Sequence, residues 1–180
     1  MTDPPAAGSP YSVTQLAAGL VGWLLLCLGA GAWGALVTTP EIEGWYRTLA
    51  KPAWTPPDAV FGPVWTTLYV LMGVAAWLVW KVGSVPNETR EGPVQRATWL
   101  PLGLFVLQLA LNVGWSWIFF GQHRLGWAFA ELVVLAAVVV VTAVAFYRVN
   151  RWAGWLLVPY LLWLAYAGAL NFVIFRLNNA

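Results

Sequence analysis

Five long apolar segments constrain this chain more than any other feature of its sequence. A helix needs about 20 apolar residues to cross the hydrocarbon core of a bilayer, and each segment is at least that long. The segments cover residues 13–37, 59–81, 97–120, 125–147 and 153–175. Hydrocarbon offers backbone groups no hydrogen-bond partners, so such segments cross it as helices. We therefore predict an all-α integral membrane protein, a bundle of five transmembrane helices.

The segments between these helices define the rest of the organisation. Residues 13–180 are expected to form a single membrane domain, preceded by a flexible N-terminal extension over residues 1–12. The longest loop spans residues 38–58, and a polar linker spans residues 82–96. Lys and Arg are almost evenly divided between the two sides of the bundle, so the positive-inside rule barely separates the two orientations. A multi-pass protein is expected, with a bacterial cell membrane slightly favoured.

Composition excludes several functional classes. The chain is 61% hydrophobic and 9% charged, whereas soluble domains contain about 25% charged residues. A net charge of +2 without a basic cluster predicts no nucleic-acid partner. Cys27 and His123 are each the sole residue of their type, which argues against a metal site built from these ligands. No cofactor is expected.

Three stripes of aromatic and amide side chains predict a binding pocket within the bundle. Helical spacing places Trp65 and Tyr69 on one face of the second segment. The other two stripes contain Gln108, Asn112 and Trp115 in the third segment, and Trp163 and Ala167 in the fifth. Aromatic walls with a few polar groups suit a flat hydrophobic ligand. The alternative is that the amides bridge helices and the tryptophans fill volume.

The loop over residues 38–58 is rich in proline and aromatic side chains. The prolines restrict its backbone. Burial of the aromatic rings against the mouth of the bundle is more favourable than their exposure to water. We predict a folded lid over the pocket, with interfacial anchoring in the membrane as the alternative. The predicted lid residues are Trp45, Lys51, Pro52, Trp54, Pro56 and Pro57.

Glu131 lies about two turns into the fourth segment. A carboxylate within a membrane helix is by default a candidate functional group. The alternative is that Glu131 lies near the interface and pairs with Arg124 or His123, and we favour this second interpretation.

Five motifs rich in aromatic residues, proline and amides follow one another along the chain. They are Trp45-Tyr46-x-x-Leu49-x-Lys51-Pro52-x-Trp54-x-Pro56-Pro57, Pro63-Val64-Trp65-Thr66-x-Leu68-Tyr69, Gln108-Leu109-x-Leu111-Asn112-x-x-Trp115-Ser116-x-x-Phe119-Phe120, Pro159-Tyr160-x-x-Trp163 and Ala167-x-x-Leu170-Asn171-Phe172. These motifs are similar to those of the translocator protein and tryptophan-rich sensory protein (TspO/MBR, peripheral benzodiazepine receptor-like) family. The match runs in order from about Trp33 to the C-terminus, and residues 1–12 are not covered.

The resemblance implies a five-helix bundle, often a homodimer. It also implies binding of porphyrins such as protoporphyrin IX and of isoquinoline and benzodiazepine-type drugs. The family's pocket positions fall on Tyr46, Trp65, Asn112, Trp115, Trp163 and Ala167. Some members also bind cholesterol, but Phe172 stands here where the animal motif has tyrosine. This departure argues against sterol binding.

Three functions remain open at this point. The protein could be a membrane receptor or sensor that binds tetrapyrroles. It could be an enzyme that degrades the porphyrin oxidatively in light, with Trp65 and Trp163 as the catalytic residues. It could also transport porphyrins or other lipophiles, although the short chain and five helices disfavour a duplicated transporter.

Overall fold

The computed structural model describes residues 12–83 and 94–179, and its regular elements within these ranges are all helical. The α-helices in chain order are α1 (Val13–Glu43), α2 (Trp45–Thr48), α3 (Asp58–Gly83), α4 (Val94–Ser116), α5 (Leu125–Val149), α6 (Arg151–Trp155) and α7 (Val158–Asn178). A π-helical turn, Trp117–Gly121, continues α4.

The described residues contain five stretches that are long and apolar enough to cross a membrane. These stretches are Val13–Glu43, Asp58–Gly83, Thr98–Gly121, Leu125–Val149 and Arg151–Asn178. The predicted fold class, an all-α bundle of five transmembrane helices, is confirmed. The chain is an integral, multi-pass membrane protein.

The first helix is longer than the sequence predicts. It begins with a capping box, in which Ser12 and Gln15 each accept a hydrogen bond from the other's backbone N–H. It then continues through Pro40 to Glu43, although proline in a helix interior removes a backbone hydrogen bond. The predicted loop 38–58 therefore shrinks to residues 49–57, preceded by the single turn of α2. The predicted extension up to residue 11, and residues 84–93 of the predicted linker, lie outside the described residues.

The last spanning stretch is broken rather than continuous. The Asn150 side chain accepts hydrogen bonds from the backbone N–H groups of Trp152 and Ala153, which starts α6 two residues before the predicted boundary. The helix is interrupted at residues 156–157 and restarts as α7 with Pro159 in its first turn, where proline is tolerated. Pro101 by contrast lies inside α4.

Small residues on α1 permit close packing inside the bundle. A Cβ atom added to Gly31 would lie 2.5 Å from the Tyr69 ring, and one added to Gly34 would lie 3.3 Å from the Ser116 hydroxyl. Gly29 has open space beside it instead. Gly31 and Gly34 therefore bring α1 close to α3 and α4.

The buried side chains form two separate hydrophobic clusters within the bundle. The larger contains Met72, Phe105 and Tyr160, and the smaller contains Tyr46 and Phe119. The space between these two clusters holds the candidate site.

Candidate functional site

A cavity of about 580 Å³ lies inside the bundle between α1, α3, the end of α4 and α7. Residues of both core clusters contribute to its wall. The predicted ligand-binding residues that line it are Tyr46, Trp65, Tyr69, Trp115, Trp163 and Ala167. The structure therefore brings these six side chains to one site, and their ligand-binding role stays a prediction.

Contacts between aromatic rings shape one wall of the cavity. The Trp65 ring stacks on Tyr69, with centroids 5.6 Å apart and 29° between the planes. Trp163 meets Trp65 edge-on at 6.3 Å and 85°, and Phe61 meets Trp163 at 5.8 Å and 75°. Stacked and edge-to-face pairs are the favoured arrangements of aromatic rings. The wall is thus held in place before any ligand arrives.

Asn112 and Gln108 do not line the cavity, although both were predicted to be ligand-binding. Asn112 is 2% exposed. Its Oδ1 accepts a hydrogen bond from the Tyr69 hydroxyl at 2.5 Å, and its Nδ2 donates to the Tyr160 hydroxyl at 2.8 Å. Gln108 is also buried, with Nε2 3.8 Å from the sulfur of Met72. Asn112 thus bridges α3, α4 and α7 from behind the wall, as amides within a membrane commonly do.

The indole N–H of Trp163 is buried without a hydrogen-bond partner among the described residues. Trp115 differs, because its Nε1 donates to Asn171 Oδ1 at 3.3 Å. Asn171 in turn donates to the Leu125 carbonyl at 3.0 Å. An unsatisfied buried donor costs about 1–3 kcal/mol, so an acceptor on a ligand in the cavity would stabilise Trp163.

The contribution of α1 to the cavity was not predicted from the sequence. Gly31, Ala35, Thr38 and Ile42 all line it from α1. The first segment is apolar on every side, so its periodicity gives no sign of which face turns inward. The signal available in the sequence is the run of small residues in this segment, among them Gly31, Gly34 and Ala35.

The predicted lid residues lie outside the cavity lining. They are Trp45, Lys51, Pro52, Trp54, Pro56 and Pro57. Lys51 nevertheless acts on a lining residue, since its Nζ donates to the Tyr46 carbonyl at 2.5 Å and lies 4.4 Å from the centroid of that ring. The loop therefore contributes to the site through the position of Tyr46.

The loop over residues 49–57 is fastened to α7. The Asn178 side chain accepts a hydrogen bond from the Ala50 N–H and donates one to the Ala50 carbonyl, both at 3.0 Å. The Tyr166 hydroxyl donates to the Trp54 carbonyl at 3.0 Å, and the two rings meet edge-on at 5.6 Å. Two side chains of α7 therefore fix the path of the loop.

One carboxylate, Asp58, lines the cavity at the start of α3. Burial, together with the nearby Asp58 carboxylate and Tyr166, raises the pKa of Tyr46 to about 12. The Tyr46 hydroxyl therefore stays protonated at neutral pH and keeps its ability to donate a hydrogen bond.

Trp45 faces a second, open cavity of about 670 Å³ at the end of the bundle. Its ring stacks on His123 with centroids 4.0 Å apart. The His123 Nε2 lies 2.9 Å from a carboxylate oxygen of Glu41. Trp45 therefore joins the end of α1 to the turn between the π-helical segment and α5.

The pairing that we favoured for Glu131 is wrong. His123 pairs with Glu41 rather than with Glu131. Both carboxylate oxygens of Glu131 are buried and lack a hydrogen-bond partner in the part of the chain that the structure describes. Glu131 points into the bundle, where neither His123 nor Arg124 bonds to it.

Comparison with known proteins agrees with this architecture. The model of the TspO/MBR family matches residues 23–177. A tryptophan-rich protein TspO from Chlorobaculum tepidum is 42% identical over 85% of this chain and 91% of its own. The human translocator protein is 44% identical over 75% of each chain. A tryptophan-rich sensory protein from Cereibacter sphaeroides is 39% identical over 87% of this chain and 92% of its own. The chain belongs to the TspO/MBR family.

Proposed function

We propose that this protein is a membrane receptor or sensor that binds tetrapyrroles of the protoporphyrin IX type in the cavity between α1, α3, α4 and α7. Other flat hydrophobic molecules, such as isoquinoline carboxamides and benzodiazepine-type drugs, would occupy the same space. The observation that carries this proposal is the unpartnered Trp163 N–H in an aromatic wall. A ligand that stacks on the rings and accepts this hydrogen bond satisfies both features.

The size of the cavity supports a ligand of this kind. Pockets for small molecules usually enclose about 300–1,000 Å³ and are mostly apolar, with a few polar groups that orient the ligand. The volume of about 580 Å³ falls within that range. Tyr46, Asp58 and Trp163 supply polar groups on an otherwise apolar wall.

Access from the bilayer is consistent with a hydrophobic ligand. Several lining residues on neighbouring edges of α1 and α3 are exposed at the surface, among them Ala35, Thr39, Gly62 and Thr66. A ligand dissolved in the lipid would reach the cavity between these two helices without crossing water.

The names of the relatives support a role in ligand recognition. The Cereibacter sphaeroides relative is named a sensory protein, and the human relative a translocator protein. Both names fit a protein that recognises a small molecule within the membrane. A receptor or sensor function requires no structural feature other than the cavity.

The test is quenching of tryptophan fluorescence by protoporphyrin IX in the full chain. We expect saturable quenching with one site, and weaker affinity in Trp65→Ala and Trp163→Ala variants. Trp152→Ala is the matched control, because this ring is 61% exposed on the outside of the bundle. Equal affinity in all three variants and the wild type would contradict the assignment of the cavity.

A second candidate is light-dependent oxidation of the bound porphyrin. It is favoured by the edge-on contact of Trp65 and Trp163 at 6.3 Å, which places two oxidisable rings side by side on the cavity wall. The porphyrin would be oxidised and dioxygen reduced, with the two tryptophans beside the reacting ligand. Illumination of the complex, followed through the absorption bands of the porphyrin, tests this activity. If the bands decay at the rate of free porphyrin, the activity is excluded. Faster decay that requires both tryptophans supports it.

A further inference from the structure

Glu131 is an ionisable group that the proposed binding function does not use. It lies within α5, and both of its carboxylate oxygens are buried without a partner among the described residues. An ionised carboxylate at such a place is shielded from solvent, and no cation among the described residues stabilises it. The protonated acid needs no counterion and is the form that the site accommodates.

The described side chains of the helices packed against α5 bring no opposite charge to this carboxylate. The described side chains of α4, residues 98–116, include no ionisable group. The charged residues Asp58, Lys81, Arg151 and Arg176 all lie near helix ends. On α7, the hydroxyl of Tyr166 is bonded to the Trp54 carbonyl, and the hydroxyl of Tyr160 accepts a hydrogen bond from Asn112.

The turn of α7 over residues 167–171 lies between α5 and the cavity. Gly168 packs against Leu132, the residue after Glu131, since a Cβ atom added to Gly168 would lie 3.1 Å from the Leu132 side chain. Asn171 donates a hydrogen bond to the Leu125 carbonyl at the start of α5. Ala167, Leu170 and Asn171 also line the cavity. One turn of α7 therefore contacts both the cavity and the part of α5 that carries Glu131.

We propose that Glu131 is a proton-binding site within the membrane, linked through residues 167–171 of α7 to ligand occupancy of the cavity. An apolar ligand displaces water from the cavity side of this turn and lowers the polarity on its other side, where α5 packs. The charged form of Glu131 then becomes less favourable, so ligand binding takes up a proton at a pH where Glu131 is partly ionised. Because linkage is reciprocal, a neutral ligand binds more tightly as the pH falls. The linkage to a ligand rests on the proposed function, whereas the proton site does not.

Infrared spectroscopy of the ligand-free full chain in lipid vesicles tests the proton site directly. At neutral pH we expect a C=O stretching band of a protonated carboxyl group that Glu131→Gln removes. His123→Gln is the matched control, because it also replaces an ionisable side chain and this residue lies at the end of the bundle. The absence of the band in the wild type, or its persistence in Glu131→Gln, overturns the proposal.

The affinity for an uncharged isoquinoline carboxamide tests the linkage. From mildly alkaline to mildly acidic pH we expect the wild type to bind about fivefold more tightly or better, a typical coupling between sites. Glu131→Gln should bind equally at both pH values. His123→Gln should keep both the carboxyl band and the pH dependence. An unchanged pH dependence in Glu131→Gln overturns the linkage. If the wild type binds no ligand at any pH, the proposed function fails, and the infrared band still decides the proton site.

Discussion

Trp163→Phe removes the unpartnered indole N–H of the cavity wall and keeps an aromatic ring in its place. In the ligand-free protein this N–H has no acceptor among the described residues, so its loss breaks no hydrogen bond. Relief of the unsatisfied donor and loss of ring contacts act in opposite directions. We therefore expect the free energy of unfolding to change by less than about 1 kcal/mol.

The effect on binding should be larger than the effect on stability. A hydrogen bond contributes about 0.5–1.5 kcal/mol net, which corresponds to an affinity that is about two- to tenfold weaker. The assay is equilibrium binding of an isoquinoline carboxamide, whose carbonyl accepts a hydrogen bond and whose charge does not change with pH. Thermal unfolding of the same samples measures the stability.

Trp115→Phe is the matched control, because Trp115 lines the same cavity but its N–H already donates to Asn171. Its replacement leaves the Asn171 carbonyl without a donor, so stability should fall and the affinity should change less. If Trp163→Phe binds as tightly as the wild type, or if Trp115→Phe loses as much affinity, the hydrogen bond from Trp163 to the ligand does not exist.

Three further changes test other parts of the site. Ala167→Phe should abolish carboxamide binding without loss of thermal stability, because the new ring fills existing space; retained binding would place the ligand elsewhere. Asn112→Ala should lower the free energy of unfolding by about 1–3 kcal/mol, because two buried tyrosine hydroxyls lose their partner, and unchanged thermal unfolding would contradict this. Asn178→Ala should free Ala50 from α7, seen as faster amide hydrogen exchange in residues 49–57 and faster ligand dissociation, with Asn179→Ala as the control; unchanged exchange would refute it.

The helices were predictable because each appears in the sequence as one long apolar run. A bilayer imposes a minimum length on each apolar segment, and each predicted segment overlaps one observed span along nearly its whole length. Their ends were less predictable, since they depend on local bonds. Asn150 starts α6 by capping it, and α1 continues through Pro40 although proline in a helix interior removes a backbone hydrogen bond.

The site was predictable in part, and for a geometric reason. Helical spacing shows which residues share a face, and it correctly grouped Trp65 with Tyr69 and Trp163 with Ala167. It does not show how far that face is rotated towards its neighbours. Asn112 lies on the same stripe as Trp115, yet it turns towards Tyr160 on α7 while Trp115 reaches the cavity.

Polar groups within the membrane acquire different roles according to whether their hydrogen bonds are satisfied. The sequence showed that Asn112, Trp163 and Glu131 lie at membrane depth, and each was a candidate ligand contact or functional group on that basis. The structure separates them. Both polar atoms of the Asn112 side chain bond to tyrosine hydroxyls, whereas the buried N–H of Trp163 in the cavity wall and the buried carboxylate of Glu131 have no partner among the described residues. A group that is already hydrogen-bonded supports the wall, an unpartnered donor in the wall is a candidate contact for a ligand, and a buried carboxylate without a neighbouring cation can hold a proton. The Trp163→Phe and Glu131→Gln experiments therefore probe two different consequences of one physical rule, that hydrocarbon leaves no polar group unsatisfied without cost.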